Sequence, residues 1–434
     1  MISLILSFAV LIAGYLIYGR VVEGVFAPDD RKTPAYTRND GVDFMPMPTW
    51  KAFLVQLLNI AGTGPIFGAL MGACFGPVVF LWIIFGAVLG GGVHDYMSGM
   101  ISERHDGVSI AELSGVYLGS GAKWVMRVFS ILLLILTGTV FVNSPAALLA
   151  RLTPDTLNTT FWIVVILIYY VLATLLPIDK IIGKLYPLFG AVLILMALGI
   201  LGGTILGGLH RSRDHVAGSA PRGTAHLAIH VCHRGLRRHL RVPRYPVADG
   251  GEVHHLRKAG TKDLLRRDVK RIRDCSGVGG ALAIVGVIAC PITSGDTAFR
   301  SARLILAEIT GLDQKQIRNR LIITLPLLGI GAVLTQLDFN VLWRYFSWSN
   351  QTLAMISLWV ATAYLLKTCK NKLASLITAL PATFMSAVSL TYISMASEGF
   401  GLSAGIGYPI GIVFAAALFA VYLTVGKKLS AKEI

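Results

Sequence analysis

Residues 124–150 read WVMRVFSILLLILTGTVFVNSPAALLA, and this stretch decides the class of fold. It holds one charged residue, Arg127, and is longer than the roughly 20 apolar residues that cross a bilayer as a helix. Similar runs occupy 2–19, 52–72, 75–98, 161–177, 186–209, 320–337, 349–367, 372–396 and 402–425, with a shorter one at 278–293. The sequence therefore predicts an all-α polytopic membrane protein with about 11 visible transmembrane helices.

The composition of the whole chain supports this prediction. Hydrophobic residues make up 54% of the 434 residues and charged residues only 14%, against roughly 25% charged in soluble proteins. The five cysteines show no C-x-x-C or Cys/His spacing, so neither a disulfide framework nor a metal site is predicted. The first run has no small-x-small cleavage site before Arg20, and we interpret it as a retained helix rather than a signal peptide.

A basic segment, residues 210–277, separates the two apolar halves, 1–209 and 278–434. From His210 to Cys275 it holds 13 Arg and 3 Lys against 6 acids, a net +10 of the chain's formal +16. Eight of the ten histidines lie there as well, at irregular spacing that matches no metal-ligand pattern. The chain thus divides into an N-terminal membrane half, an aberrant basic segment and a C-terminal membrane half.

Lys and Arg in short loops predict which side of the membrane each loop occupies, because such loops stay cytoplasmic. Basic clusters occur at 300–320, at 367–372 and in the C-terminal tail. Threading the helices back from that tail puts loops 99–123 and 178–185 inside. An even number of crossings must then lie within 210–277.

Glycine and proline inside membrane helices indicate binding sites, because unwound backbone exposes carbonyls and amides that replace the water shell of a ligand. The first such segment interrupts the second apolar run, and its candidate residues for binding substrate or coupling ion are Asn59, Gly62, Thr63, Gly64 and Pro65. The alternative is a kink that serves only helix packing.

The second segment, 290–297, closes the short run that begins at 278. Its hydroxyls and carboxylate, suited to binding a cation or carrying a proton, belong to Thr293, Ser294, Asp296 and Thr297. The alternative for Asp296 is an N-cap of a helix that starts near Thr297. An acid at membrane depth is nevertheless a functional candidate by default, and we favour that interpretation.

Two further pairs of residues are candidates for gating or support. His94 and Asp95 close the third run, with partners expected at 103–104, and an interfacial anchor is their alternative role. Asn350 and Gln351 lie in an aromatic stretch, where a membrane-interface belt with a helix cap is the alternative.

Five strings in this chain closely resemble the carbon starvation protein A family of bacterial inner-membrane transporters. They are DGVD at 40–43, the stretch 56–68, VHDY at 93–96, and the stretches 292–303 and 343–353. The resemblance covers almost everything outside 210–277. It implies a secondary active transporter that imports peptides or pyruvate during carbon starvation by ion symport, with the proton as the favoured coupling ion and sodium as the alternative.

The resemblance also suggests a five-plus-five inverted-repeat fold, in which 1–209 holds an extra first helix and repeat one. In that scheme the span with Gly62 to Pro65 resembles the broken first helix of repeat one. The span that ends in Thr293 to Thr297 resembles the third helix of repeat two, and these two helices commonly flank a coupling-ion site. Repeat two should begin with two crossings inside 210–277, which satisfies the parity argument.

The family carries an S-G-F-H-x-T-Q-S-P-like motif in that region, whereas this chain reads HLRVPRYPV at 239–247. Codons for the family motif, read one nucleotide out of register, give His-Leu-Arg-x-Pro-Arg-x-Pro-Val almost verbatim. We therefore hypothesise that 210–277 is a frameshifted translation, that two helices are disrupted, and that this chain is inactive as a result. The alternative is a genuine basic segment that binds nucleic acid or anionic lipid, although no nucleic-acid motif occurs there.

Other functional classes have less support in the sequence. It contains no catalytic string such as H-E-x-x-H, no G-x-x-x-x-G-K-[ST] loop and no repeated filter ring. We predict no enzyme activity, no cofactor and no bound metal, with a membrane channel as the alternative to the transporter. The expected partners are a small-molecule substrate and the lipid bilayer, without nucleic acid, in the bacterial inner membrane.

Overall fold

The computed structural model describes residues 2–38, 46–60, 64, 68, 72, 78–175, 189–199, 202, 278–369 and 371–430. Every element in these ranges is a helix. Six continuous helical stretches, some made of more than one element, are long and apolar enough to cross a membrane: Ile5–Phe26, Val78–Arg104, Ser120–Leu152, Ile317–Leu334, Lys372–Met395 and Ala404–Gly426. The prediction of an all-α polytopic membrane protein is confirmed.

The N-terminal part contains two long rods, each interrupted by a π-helical stretch. Its elements are α1 (Ile2–Ala13), a π-helix (Gly14–Tyr18), α2 (Gly19–Phe26), α3 (Pro34–Thr37), α4 (Thr49–Ile60), α5 (Val78–Phe85), a second π-helix (Gly86–Gly91) and α6 (Gly92–Arg104). The two π-helices pack together where a Cβ on Gly14 would lie 2.6 Å from Val88 Cγ2. Glycine is needed there because a larger side chain would separate the rods.

The centre of the bundle is built on two antiparallel helices of 33 residues, α8 and α11. The elements of this part are α7 (Ile110–Leu118), α8 (Ser120–Leu152), α9 (Thr159–Leu175), α10 (Phe189–Gly199), α11 (Val278–Thr310), α12 (Ile317–Leu334) and α13 (Phe339–Thr368). A helix of 33 residues is about 50 Å long, whereas the hydrocarbon layer is about 30 Å thick. The ends of α8 and α11 therefore extend beyond the hydrocarbon.

Phe299 of α11 lies in the middle of this bundle, between glycines of two other helices. A Cβ on Gly138 of α8 would lie 2.6 Å from Phe299 Cζ, and a Cβ on Gly331 of α12 would lie 2.8 Å from the same atom. Phe299 itself is only 3% exposed. The two glycines thus allow α8, α11 and α12 to meet around one ring.

The C-terminal part adds an outer pair of helices to α13. After a 3₁₀ turn (Lys372–Ser375), α14 (Leu376–Met395) packs between α13 and α15 (Ala404–Ser430). Large apolar side chains such as Ile412 and Val413 are exposed on α15. Such an apolar outer surface is expected of a helix that faces lipid, since lipid tails are as apolar as the side chains themselves.

One end of the bundle collects basic side chains, and we call it the basic end: Arg104, Lys123, Arg127, Lys367 and Lys372. There Arg104 donates hydrogen bonds to the Tyr364 hydroxyl and, at 2.6 Å, to the carbonyl oxygen of Ala27. Lys367 donates to the carbonyl oxygen of Val116 at 3.4 Å. The ends of α2, α6, α7 and α13 therefore meet at the same end of the bundle.

Several predicted boundaries are wrong, and each error has the same cause. The run predicted at 278–293 continues as a helix to Thr310, and the run predicted at 349–367 begins at Phe339. In both places the apolar run stops at arginines, and these arginines are buried or half-buried against a partner. Arg344, for example, pairs with Glu398 at 2.5 Å. A paired charge does not end a helix, so hydropathy alone underestimates its length.

Candidate functional site

The predicted second binding segment lies in the middle of α11 and is continuously helical. Thr293 is fully buried and donates to the carbonyl oxygens of Ala289 at 3.2 Å and Cys290 at 2.9 Å. Thr297 donates to the carbonyl oxygen of Thr293 at 3.1 Å. These bonds stabilise the helix around Pro291, which has no N–H to donate. The predicted break at 290–297 and the N-cap alternative for Asp296 are both wrong.

Asp296 is nevertheless a buried carboxylate in the middle of α11. It is 2% exposed, and one of its oxygens lies 3.7 Å from Arg300 Nη2, one turn further along α11. Arg300 is itself 7% exposed and donates to the carbonyl oxygen of Ala173 at 3.1 Å. The separation of 3.7 Å is that of an ion pair, too long for a hydrogen bond. The charge of Arg300 therefore stabilises the carboxylate without a hydrogen bond between the two side chains.

Tyr170 of α9 packs directly against α11 beside Asp296. A Cβ on Gly295 would lie 2.9 Å from Tyr170 Cζ and closer still to its Oη, so only glycine fits at this position. Tyr170 is 1% exposed, and its hydroxyl has no hydrogen-bond partner among the described residues. Nothing in the sequence pattern singles out this residue.

Two arginines from separate helices meet at the C-terminal end of α9. Arg300 of α11 bonds to the carbonyl oxygen of Ala173, and Arg320 of α12 bonds to that of Thr174 at 3.2 Å. Both guanidinium groups therefore bond to carbonyls in the last described turn of α9. Both had been predicted as part of a basic loop at 300–320, but they are buried in the bundle.

The structure describes only part of the predicted first segment. α4 ends at Ile60, and the backbone at Gly64 is helical, whereas Gly62, Thr63, Pro65 and the side chain of Asn59 lie outside the described residues. Leu57 packs in a cluster with Cys290 of α11. Leu57 of α4 is therefore next to the turn that precedes Thr293.

The four candidates for gating lie within α6 and α13, and their role in gating stays a prediction. His94 Nδ1 lies 2.8 Å from Asp95 Oδ1, near the middle of the second rod, and Asp95 pairs with neither Glu103 nor Arg104. Asn350 and Gln351 lie in the interior of α13, so the helix-cap alternative is wrong. The cap of α13 is Asp338, whose side chain accepts from the backbone amides of Asn340 and Val341.

An apolar cavity of about 250 Å³ lies next to the Asp296 turn. It is lined by side chains of α8, α9, α10 and α11, among them Leu149, Trp162, Tyr169, Phe189 and Ile292. Ile292 precedes Thr293 on α11, so the cavity and the polar turn are adjacent. The arrangement suits an apolar group held beside a polar one.

A cluster of four charged side chains ties α7, α8 and α11 together at the basic end. Glu112 lies 2.6 Å from Lys123 Nζ and 2.5 Å from Arg127 Nη2, and Glu308 lies 3.3 Å from the same Arg127 nitrogen. Ser109 positions Glu112 by capping α7, since its hydroxyl accepts from the Glu112 amide at 3.4 Å.

The two carboxyls of this cluster have opposite pKa shifts. Burial opposes ionisation of Glu112, but hydrogen bonds with Lys123 and Glu308 and the charge of Arg127 together hold its pKa below its ordinary value. Burial, and then the hydrogen bond and charge of Glu112, raise the pKa of Glu308 above its ordinary value. Glu308 therefore takes up a proton first as the pH falls.

The sequence profile of the family described as carbon starvation protein CstA matches residues 1–229 and 259–392. The chain belongs to this family. The stretch between the two matched ranges of this CstA-family chain, 230–258, lies inside the basic segment. That segment falls outside the described residues, so its frameshift origin stays a prediction.

Three relatives show how far the CstA-family similarity extends. An uncharacterized membrane protein of Haemophilus influenzae is 44% identical over 231 residues, 45% of this chain and 62% of the relative. An uncharacterized protein of the same organism is 50% identical over 111 residues, 26% of this chain and 78% of the relative. The peptide transporter CstA of Bacillus subtilis is 36% identical over 118 residues, 26% of this chain and 20% of that protein.

The chain thus matches less than two thirds of the length of the first Haemophilus protein and a fifth of the Bacillus protein. No solved structure matches this CstA-family chain significantly. Within the part of the chain that the structure describes, no group of three His, Cys, Asp or Glu side chains is placed to hold a metal ion.

Proposed function

We propose that this CstA-family chain is a secondary active transporter of the bacterial inner membrane that imports peptides or pyruvate during carbon starvation by ion symport. The observation that carries the proposal is Asp296, a carboxylate only 2% exposed in the middle of α11, a central helix of the bundle. Ionisable groups at membrane depth are costly and mark substrate or ion pathways. The names of relatives in Bacillus subtilis, Helicobacter pylori and Escherichia coli, all peptide transporter CstA, support the same class.

Asp296 is the group that we propose to accept the coupling proton. Its 3.7 Å ion pair with Arg300 contains no hydrogen bond that protonation would break. Protonation would leave Arg300 without a compensating charge, which favours entry of an anionic substrate together with the proton. Sodium is the alternative coupling ion, with oxygen ligands from Thr293, Ser294 and Thr297.

The substrate, in this proposal, binds between the first segment and α11. The residues concerned are Asn59, Gly62, Thr63, Gly64 and Pro65, and the packing of Leu57 beside Cys290 supports their placement near Asp296. His94, Asp95, Asn350 and Gln351 are proposed to support opening and closing. The basic end is then the cytoplasmic end, because Lys and Arg mark cytoplasmic loops. No enzyme activity, cofactor or metal is part of the proposal.

Uptake into proteoliposomes tests this function. The full chain and a version with the reading frame of 210–277 corrected are reconstituted, and labelled pyruvate, dialanine and trialanine are supplied under an imposed proton or sodium gradient. We expect accumulation that collapses when the gradient is removed, and loss of accumulation in Asp296→Asn. Asp313→Asn is the matched control, because that side chain is exposed in a loop and caps only the amide of Lys315.

The outcomes separate the alternatives. A channel would equilibrate the solutes without accumulating them, and no accumulation by either version would refute the transporter. Activity of the corrected version alone would mean that the basic segment inactivates this chain. Resequencing codons 205–280 then decides between a frameshift, which would restore an S-G-F-H-x-T-Q-S-P-like string in another frame, and a genuine segment for anionic lipid or nucleic acid.

A further inference from the structure

Glu112 of α7 and Glu308 of α11 are acids on different helices that share one cationic nitrogen. Glu112 Oε1 lies 2.5 Å from Arg127 Nη2, and Glu308 Oε1 lies 3.3 Å from the same atom. The two oxygens are therefore within about 6 Å of each other, a separation at which one negative charge opposes the ionisation of a second acid. Neither residue takes part in the proposed binding of substrate or coupling ion.

The positions of the two acids on their helices determine which of them takes up a proton. Glu112 lies in the first turn of α7, close after the N-cap Ser109, where the partial positive charge of the helix end stabilises a carboxylate. Lys123 adds a further cation at 2.6 Å from Glu112. Glu308 lies in the last turn of α11, which ends at Thr310 and carries partial negative charge. Glu112 therefore stays ionised, and Glu308 is the proton acceptor.

The surroundings of Glu308 compensate little of its negative charge. Among the described residues Arg127 is its single ion-pair partner. The helix α9 carries no charged side chain, and the charged residues of the other segments around α11 form no ion pair with Glu308 in the part of the chain that the structure describes: Lys51, Asp313, Lys315, Arg318 and Arg320. Burial and the nearby Glu112 outweigh Arg127, so the pKa of Glu308 lies above its ordinary value. The Glu308 side chain is 38% exposed, which gives the carboxyl access to protons from water.

Protonation changes the bond between the two helices. An ionised carboxylate only accepts hydrogen bonds, whereas a protonated carboxyl also donates one. Protonated Glu308 therefore donates to the Glu112 carboxylate, and a hydrogen bond to an ionised group is stronger than a neutral one. The helix α7 packs mainly on α8 and α13, and α11 packs mainly on α8 and α12. The hydrogen bond between the carboxyls is thus a direct link between α7 and α11.

We propose that Glu112 and Glu308 form a proton-operated latch between α7 and α11. The latch is closed when Glu308 carries a proton and open when both carboxyls are ionised, because repulsion between them then replaces the hydrogen bond. Asp296 precedes Glu308 on the same helix by about 18 Å. The latch therefore makes the fixation of one end of the Asp296 helix depend on pH. It does not depend on the identity of the substrate, and in the proposed orientation it responds to the pH of the cytoplasm.

Hydrogen–deuterium exchange of the full chain in lipid nanodiscs tests the latch without a transport assay. Labelling is carried out over a series of pH values, and the labelling time at each pH is corrected for the intrinsic rate of amide exchange. The amides to follow are those of α7, 110–118, and of the last two turns of α11, 303–310. We expect both segments to lose protection together as the pH rises, with one midpoint above the ordinary pKa of 4.5. The protection factor should fall about tenfold or more, as expected for one lost hydrogen bond to a charged group.

Three variants separate the latch from a single titrating acid. Glu308→Gln keeps a hydrogen-bond donor that cannot ionise, so both segments should stay protected at every pH. Glu308→Ala removes the donor, so both segments should exchange at every pH as the wild type does at high pH. Glu112→Gln removes the charge that opposes ionisation of Glu308, so the midpoint should move to lower pH. The matched control is Asp313→Asn, an exposed acid just beyond α11 that accepts from the Lys315 amide, and its profile should match that of the wild type.

The inference is overturned if protection in the wild type is independent of pH, if the same transition persists in Glu308→Gln, or if Glu112→Gln leaves the midpoint unchanged. A transition in α11 alone would also overturn it, since Glu308 would then titrate without a link to α7. None of these outcomes bears on the transport proposal, because uptake is tested through Asp296. Absence of uptake, in turn, would leave the latch standing.

Discussion

The glycine at 138 should be indispensable to the packing of the central bundle. We consider Gly138→Ala in α8. A Cβ there would lie 2.6 Å from Cζ and 2.7 Å from Cδ2 of Phe299, whereas ordinary contacts are at least 3.4 Å. The ring would have to move by about 0.8 Å or more to restore contact distance. It cannot do so freely, because Gly331 of α12 lies against its other edge.

The expected cost follows from this lack of room. Overpacking a buried position costs about 1–3 kcal/mol, and the gain of about 0.5–1 kcal/mol from replacing a helical glycine offsets only part of it. The folded-to-unfolded ratio should therefore fall by up to roughly 100-fold. The control is Gly329→Ala, because a Cβ on Gly329 of α12 meets nothing within 4 Å. That variant should be as stable as the wild type or more stable.

The assay is equilibrium unfolding of the purified protein in mixed micelles, titrated with SDS and followed by circular dichroism. Phe299→Leu in the Gly138→Ala background should recover stability relative to Gly138→Ala alone, since the smaller side chain vacates the contact. The reasoning is refuted if Gly138→Ala behaves like Gly329→Ala, or if Phe299→Leu brings no recovery. Either result would mean that α8, α11 and α12 do not meet around the ring.

Two further predictions concern the Asp296 turn and the basic end. Gly295→Ala should destabilise the protein by about 1–3 kcal/mol in the same assay. Tyr170→Phe should relieve part of that cost, because the Tyr170 hydroxyl is the atom nearest the added Cβ. An equal effect of Gly295→Ala in the wild type and in Tyr170→Phe would contradict the contact. The raised pKa of Glu308 means that its stabilising contribution is complete below the ordinary value of 4.5 and is lost as the pH rises through the raised value. Glu308→Gln should abolish this part of the pH dependence above pH 4.5, and an unchanged profile would contradict the raised pKa of Glu308.

Hydropathy predicted the bounds of most helices well but missed the polar parts of α11 and α13. The runs at 372–396 and 402–425 correspond closely to the spans Lys372–Met395 and Ala404–Gly426. Those helices face lipid on one side, so their apolar residues extend over the whole span. The central helix α11 continues past its apolar run because Arg300 donates a hydrogen bond to the Ala173 carbonyl and Arg303 donates one to the Gln314 side chain. The polar half of α11 is buried in protein. No local sequence pattern distinguishes a buried polar helix from an exposed polar loop.

The candidate site was predictable in part. An acid within an apolar stretch is rare, so Asp296 stood out from the sequence, and the i, i+4 spacing to Arg300 would have indicated its ion pair. The predicted break at this position was wrong because Thr293 and Thr297 bond to the backbone and keep the helix around Pro291 intact. Arg320 belongs to a cluster of basic residues that the sequence predicts as a cytoplasmic loop. Tyr170 is one aromatic residue among many in an apolar run.

The sequence by itself determined that this protein lives in a membrane, and six of its apolar runs overlap the long apolar helices that the structure describes. Burial of apolar side chains in lipid depends on composition within about 20 residues, which is a local property. Only the tertiary structure decided what the polar groups do. The contact between Arg320 and Thr174 joins positions 146 residues apart, and that between Arg300 and Ala173 joins positions 127 apart. A hydrogen bond or ion pair depends on the distance between two groups in space, so partners this far apart along the chain are specified only when the helices pack.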